Sequence, residues 1–160
     1  MLSEPEIMQL LHEIPDPEIP VISIVELGVV RAVRVTASEV EVDITPTYSG
    51  CPAMKQMEDD VRSKLLEQGF KKVNIKTIYQ PAWTTDWINP EAREKLRKYG
   101  IAPPEGSADK GALTGKDRNV TCPRCGSTET VMVSQFGSTA CKALFKCKNC
   151  LEAFDYFKCL

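Results

Sequence analysis

Two pairs of cysteines near the C-terminus constrain the fold of this chain more than any other feature. Cys122-Pro-Arg-Cys125 and Cys147-Lys-Asn-Cys150 each have C-x-x-C spacing, and roughly twenty residues lie between the pairs. Each pair can form a tight turn that directs two sulfurs at one metal ion, and four thiolates complete a tetrahedron. So short a segment buries too little apolar surface to fold unaided. The spacing therefore predicts a structural zinc site, in which no coordination position is left for catalysis.

The identity of this metal has one alternative. Four thiolates also suit a single iron ion. The second cysteine pair is followed by Leu151, whereas Gly126 follows the first pair. The missing glycine after the second pair does not exclude zinc. The colour of the purified protein would distinguish the two metals.

The composition limits the class of protein. The chain has 160 residues, enough for one ordinary domain and a small module. Residues 1–115 carry 13 basic and 18 acidic side chains, whereas residues 116–160 carry 7 basic and 4 acidic side chains. The excess of basic over acidic side chains in residues 116–160 is too small to indicate a nucleic-acid partner by itself. With no apolar run of transmembrane length and no signal-peptide pattern, we expect a cytoplasmic protein without a membrane partner. In a reducing compartment, the seven cysteines favour metal binding or thiol chemistry over disulfides.

The pattern of apolar residues predicts the order of helices and strands. A capping box at Ser3 and Glu6 begins a helix, and alternating residues then predict a β-hairpin over 29–45. A second helix, a third strand and a third helix follow, and Gly100 ends the last helix. We predict an α+β fold. It comprises a small α-β-β-α-β-α domain at residues 1–100, with helices packed on a short mixed sheet, a linker at 101–119, and a three-stranded zinc ribbon at 120–160.

Cys51 is the most suggestive residue of the first domain. Pro52 suits the first helical position, which places Cys51 at the N-cap of the second helix. The free N–H groups and the positive end of the helix dipole favour the thiolate there. The alternative is an inert buried cysteine.

Two carboxylates precede the hairpin in a stiff loop, Pro15-Asp-Pro-Glu-Ile-Pro20. Because prolines restrict the loop, Asp16 and Glu18 could be held in place to bind a metal or to orient a thiol. The alternative is that Asp16 bonds only to nearby backbone, as aspartates in turns often do.

Cys141 and Cys159 are left after the four zinc candidates are assigned. Both are expected either to be idle thiols or to join Cys51 in a second thiolate-rich site for iron or an iron–sulfur cluster. The spacing does not decide between these alternatives.

Several motifs together resemble known families. The loop at 15–20 with Glu26-Leu-Gly-Val-Val30, and Thr45-Pro-Thr-Tyr-Ser-Gly-Cys51-Pro52, look like the SufT-like family of metal–sulfur cluster assembly domains. Arg97-Lys-Tyr-Gly-Ile-Ala-Pro103 and Phe136-Gly-Ser-Thr-Ala-Cys-Lys-Ala-Leu-Phe145 are similar to the PaaD family of phenylacetate degradation proteins. The resemblance covers essentially the whole chain.

The resemblance implies an accessory role. PaaD-like proteins are associated with the monooxygenase that epoxidises phenylacetyl-coenzyme A, and their SufT-like relatives help to mature iron–sulfur proteins. The implied client is the flavin- and iron–sulfur-containing reductase of that system, or its di-iron oxygenase. The cysteine matching Cys51 is the residue most tied to function in the relatives, with the loop of Asp16 and Glu18 close to it. The ribbon is then the part that selects the client.

We therefore expect a non-catalytic assembly factor with a structural zinc ion and a transient iron or iron–sulfur cargo. The chain lacks the paired Glu-x-x-His motifs of a di-iron oxygenase and the glycine-rich dinucleotide fingerprint of a reductase. Three alternatives stay open: a structural component of the epoxidase complex, a nucleic-acid-binding zinc ribbon, and a thiol enzyme that uses Cys51.

Overall fold

The computed structural model describes residues 1–48, 50–105 and 120–158. The chain divides into two compact units between Trp83 and Thr84. The observed architecture confirms the predicted α+β fold class, with helices packed on one short mixed sheet in the first unit and a β-ribbon in the second. In the described part of the chain, no helix is both long and apolar enough to cross a membrane.

The first unit contains two helices and a three-stranded sheet. Its elements are α1 (Glu4–Leu11), β1 (Val30–Val35), β2 (Glu39–Ile44), α2 (Ala53–Glu67) and β3 (Lys72–Thr77). The sheet order is β1-β2-β3, with β1 antiparallel and β3 parallel to the central β2. The long α2 crossover allows β2 and β3 to run parallel.

The core of this unit comes from the apolar positions that set the sequence pattern. Helix α2 buries one side chain per turn, and β2 buries side chains on the face of the sheet that the helices cover. These buried positions include Ile7, Leu11, Val40, Val42, Ile44, Met57, Val61 and Leu65. Trp83 is also buried, and its indole N–H donates to the Leu27 carbonyl at 2.8 Å.

The second unit begins with a one-turn 3-10 helix, Thr85–Trp87, and α3 (Pro90–Tyr99). It continues with β4 (Ile101–Ala102), β5 (Thr130–Ser134), β6 (Lys142–Cys147) and β7 (Ala153–Phe157). These strands form one sheet in the order β4-β7-β6-β5. The predicted three-stranded ribbon is β5–β7, and β4 adds a short fourth strand parallel to β7.

Two details differ from the predicted domain boundaries. Helix α3 falls in the second unit, whereas the boundary at residue 100 assigned it to the first domain. Ile101 and Ala102, predicted as linker, are buried strand residues, because Gly100 with φ +95° reverses the chain and sends them alongside β7. The rest of the predicted linker, from residue 106 onward, lies outside the described residues.

Candidate metal-handling sites

The two C-x-x-C turns come together as one sulfur cage. The four cysteine sulfurs all lie within 4.8 Å of one another. Cys122 Sγ is 3.8 Å from Cys150 Sγ, and Cys125 Sγ is 3.6 Å from Cys147 Sγ. A tetrahedral centre with Zn–S bonds of about 2.3 Å needs sulfurs about 3.8 Å apart. The four predicted ligands therefore fit a zinc ion.

The backbone of each turn supports the cage. In the first turn, the Gly126 N–H donates to the Cys122 carbonyl at 2.9 Å, and Gly126 adopts φ +75°. In the second turn, the Cys150 N–H points to Cys147 Sγ at 3.5 Å. Leu151 occupies the position that matches Gly126 and adopts φ +65°, the only described residue other than glycine with positive φ. The missing glycine is thus replaced by a leucine in a left-handed conformation, which stores strain in the second turn.

Amide donors and neighbouring sulfurs make the four thiols unequal. The Ser127 N–H donates to Cys125 Sγ and lowers the pKa of that thiol to about 6. The Glu152 N–H lowers the pKa of Cys150, but burial and the three neighbouring sulfurs raise the pKa of this thiol to about 12. The raised pKa of Cys150 favours its protonated form, and a divalent cation must displace that proton to bind there.

With all four positions filled, the zinc ion would cross-link the two turns and supply no catalytic chemistry. The apolar cluster beside the cage explains why this cross-link matters. It contains few large side chains, including Phe145, Phe154 and Tyr156. Such a core is too small to hold the ribbon together without the metal.

Cys51 lies one residue before the N-cap of α2, one position further from the helix than predicted, because the helix begins at Ala53 after Pro52. Its sulfur still accepts a hydrogen bond from the Ala53 N–H. Gly50 precedes it with φ +76°, which forms the sharp turn into the helix. The Cys51 side chain is 8% exposed.

Burial opposes the thiolate that the helix end was expected to favour at Cys51. Burial raises the pKa of this thiol, and the negative charge of Glu18 raises it further. The hydrogen bonds from Ala53, Tyr48 and Thr47 lower the pKa but do not outweigh burial. At this position the helix end therefore lowers the pKa of Cys51 by less than desolvation raises it. A bound cation would reverse the balance, since it favours both the thiolate and the nearby carboxylate.

The acidic loop reaches Cys51 through Glu18. The Tyr48 hydroxyl donates to Glu18 Oε1 at 3.3 Å, which joins the loop to the turn that carries Cys51. Asp16 is buried, and its Oδ1 accepts the N–H groups of Glu18 and Ile19, both at 2.8 Å. Asp16 thus shapes the loop by turn hydrogen bonds, and Glu18 carries the carboxylate whose charge raises the pKa of Cys51.

This second site is not a complete metal cage. Within 1–48, 50–105 and 120–158, the cysteine cage is the only group of three or more close metal-binding side chains. Cys51 and Glu18 do not belong to such a group among the described residues. The roles of Cys51, Asp16 and Glu18 stay predictions.

The two remaining predicted thiols are Cys141 and Cys159. Cys141 is buried in the ribbon, and its sulfur lies 3.0 Å from Thr139 Oγ1. Cys159 lies outside the described residues. Their assembly with Cys51 into a second thiolate-rich site stays a prediction.

Sequence reasoning missed two kinds of participant. Tyr48 lies within a family motif but had no predicted role, although its position three residues before Cys51 is typical of a tight turn. The Ser127 and Glu152 amides, each two residues after the second cysteine of a pair, were also not predicted. Their regular spacing is the signal that could have identified them.

Comparisons with known proteins agree with this two-part organisation. The family described as "Iron-sulfur cluster assembly protein" matches residues 4–77, and "PaaD zinc beta ribbon domain" matches residues 106–158. A protein of Escherichia coli, named as a putative component of 1,2-phenylacetyl-CoA epoxidase, is 50% identical over 97% of this chain and 92% of its own length.

Shorter relatives match the first part of the chain. A "Fe-S protein maturation auxiliary factor" of Porphyromonas gingivalis is 36% identical over 59% of this chain and 90% of its own length. The structure of a domain of unknown function, DUF59, from Bacillus anthracis has a TM-score of 0.55 and 25% identity, covering 58% of this chain and 90% of that domain. The chain belongs to the PaaD family, in which an iron–sulfur cluster assembly domain precedes a zinc β-ribbon.

Proposed function

We propose that this protein is an accessory maturation factor of a phenylacetyl-CoA epoxidase. The observation that carries the proposal is the 50% identity, over nearly the whole chain, to an E. coli protein named as a putative component of that enzyme. The relatives of its first part are named as iron–sulfur maturation factors, which indicates the kind of help it gives. Its client is the iron–sulfur reductase of the system or, as the second choice, the di-iron oxygenase.

The cargo is iron or an iron–sulfur cluster held transiently at Cys51. A thiol and a carboxylate that fill only part of an ion's coordination sphere hold it weakly, so the remaining positions are open to ligands of the client. The pKa of Cys51 is raised while the site is empty, and cargo binding must therefore release its proton. The empty site carries the charge of Glu18 alone, whereas loading adds the metal and a thiolate, so the two states differ for a partner.

The zinc ribbon serves this function by presenting a folded docking surface. Zinc stays bound there because the cage is closed, whereas the Cys51 site exchanges its metal because it is open. This division explains why one short chain carries Cys51 in addition to the four cysteines of the cage.

The experiment is complementation of a strain that lacks this protein. We expect the Cys51→Ser variant to be folded and zinc-loaded but unable to support an active epoxidase, with low iron in the purified reductase. The Lys55→Ala variant is the control, because Lys55 is exposed on the same helix and pairs only with Asp59 among the described residues. Full epoxidase activity with Cys51→Ser would refute the role of this thiol.

A second candidate function is that of a structural component, which is favoured because the E. coli relative is named as part of the epoxidase itself. Stable, stoichiometric purification with the oxygenase, together with full activity of the Cys51→Ser complex, would support it over a transient factor. A nucleic-acid-binding ribbon is the least favoured function, and a salt-sensitive mobility shift would be needed to support it.

A further inference from the structure

The outer edge of β5 is apolar and exposed. β5 is the last strand of its sheet, and no strand in the described ranges pairs with its other side. Val131, Met132 and Val133 are 42%, 42% and 58% exposed, and we call these three residues the β5 edge. Natural proteins often protect such an edge with a charge, a proline or a bulge. Thr130–Ser134 contains no charge and no proline, and its one irregularity lies at Val133. The β5 edge therefore has the properties of a strand that pairs with another chain.

The sequence of β5 is nearly the same in both directions. Thr130-Val-Met-Val-Ser134 has Met132 at its centre, a valine on each side and a small hydroxyl residue at each end. Two copies that pair antiparallel about a two-fold axis at Met132 place Val131 opposite Val133 of the second copy. Thr130 then lies opposite Ser134 of the second copy. An interface between identical surfaces requires this kind of self-complementarity.

Charges at the ends of β5 match in the same register. Glu129 precedes the strand, and the pairing places it opposite Gln135 of the second copy. The Lys158 ammonium donates to the Gln135 carbonyl at 2.9 Å, so a positive charge already lies at that point. Glu129 is exposed and makes no ion pair within the described ranges. The two-fold axis would create two such Glu129–Lys158 attractions, one at each end of the strand pair.

One irregularity in β5 limits the length of regular pairing. The register with β6 shifts between Met132 and Ser134, which makes Val133 a bulge residue. A bulge increases the local twist and disfavours pairing with an arbitrary flat strand. In the two-fold register Val133 lies opposite Val131 of the second copy, so the most regular pairing is confined to the residues around Met132.

We propose that two copies of this protein associate through their β5 edges, joining two four-stranded sheets into one sheet of eight strands. The proposal does not depend on the function proposed for Cys51. A strand pair of this length buries less surface than a standard interface, so the dimer is weak and forms as protein concentration rises.

Sedimentation of the full zinc-loaded chain over a range of concentrations tests the association. We expect a monomer–dimer equilibrium whose dissociation constant rises at least about tenfold in Met132→Lys, because the substitution brings two like charges together at the two-fold axis. Leu66→Lys is the matched control, since Leu66 is a similarly exposed apolar residue, at 47%, on α2. Equal weakening by both variants, or none by Met132→Lys, would overturn the proposal.

A disulfide tests the register. Residues directly opposite each other in an antiparallel pair have Cα atoms about 4.5–5.5 Å apart, within reach of a disulfide. Met132→Cys should therefore form a covalent dimer under mild oxidation of the zinc-loaded protein. Gln135→Cys should not, because its two copies would lie about 20 Å apart along the strands. Cross-linking of both variants to the same extent would contradict the register.

Amide hydrogen exchange distinguishes other occupants of the edge. Protection of residues 131–133 that appears with dimerisation supports the proposal. A monomer at all concentrations overturns it, whether these amides are protected by the chain itself, become protected only with another protein, or stay unprotected.

Discussion

The left-handed Leu151 gives the sharpest test of how the zinc cage is built. A left-handed conformation costs a residue with a Cβ about 1–2 kcal/mol relative to glycine. Replacing Leu151 with glycine removes this cost, and the greater freedom of glycine in the unfolded chain returns about 0.4–1 kcal/mol. Little burial is lost, because the leucine is 68% exposed. The Leu151→Gly variant should therefore be about 0.5–1 kcal/mol more stable, which corresponds to roughly two- to fivefold tighter zinc binding.

The assay is competition for zinc with a chromophoric chelator, using the full chain at neutral pH. Leu151→Ala is the control, since it loses the same side chain but keeps the strained φ, and its zinc affinity should be close to that of the parent. Gly126→Ala provides the reverse test, because a Cβ there meets no atom within 4 Å and only the φ of +75° opposes it. Equal affinities of Leu151→Gly and Leu151→Ala would refute the strain argument.

Three further predictions concern the rest of the molecule. Chelation of zinc should abolish amide protection in β6 but leave β2 protected, and persistent protection of β6 without metal would contradict the first expectation. Zinc affinity should also fall as pH falls, because protons compete with zinc for the sulfurs. Burial and Glu18 raise the pKa of Cys51, so this thiol stabilises the fold below the ordinary thiol pKa, and that contribution is lost as pH rises through the raised value. Glu18→Gln should lower the pKa and speed alkylation of Cys51 at a fixed alkaline pH, and an unchanged rate would show that the carboxylate does not act on the thiol. Gly50→Ala should lower the free energy of unfolding of the first unit by about 1 kcal/mol, through the φ of +76° alone, and lower the Tm of that unit by about 4–8 °C. Gly50→Asn should lower the free energy of unfolding less, because asparagine tolerates this conformation.

The number of close donor atoms distinguishes the four-cysteine cage from the metal site proposed at Cys51. The ribbon gathers four sulfurs within 4.8 Å of one another, enough to fill the coordination sphere of a zinc ion. Cys51 has one carboxylate neighbour, Glu18, and the loop that holds this carboxylate is shaped by Asp16. The metal site proposed at Cys51 should therefore exchange its metal fast, and the ribbon should exchange its metal slowly.

The sequence by itself determined the features that depend on local spacing. The C-x-x-C pairs predicted the ribbon, and the periods of 2 and 3.6 residues predicted the strands and helices of the first unit. The three prolines predicted a stiff loop before the hairpin. Each of these signals lies within a few residues along the chain, so no knowledge of distant contacts was needed.

Only the tertiary structure decided what surrounds each group. It buries Cys51 beside Glu18, and desolvation there outweighs the helix end that the sequence had suggested would hold a thiolate. It also places Ile101 and Ala102 beside β7, and it leaves the β5 edge exposed. Burial, electrostatic balance and strand neighbours depend on residues far apart in the chain, and a local pattern carries no information about them.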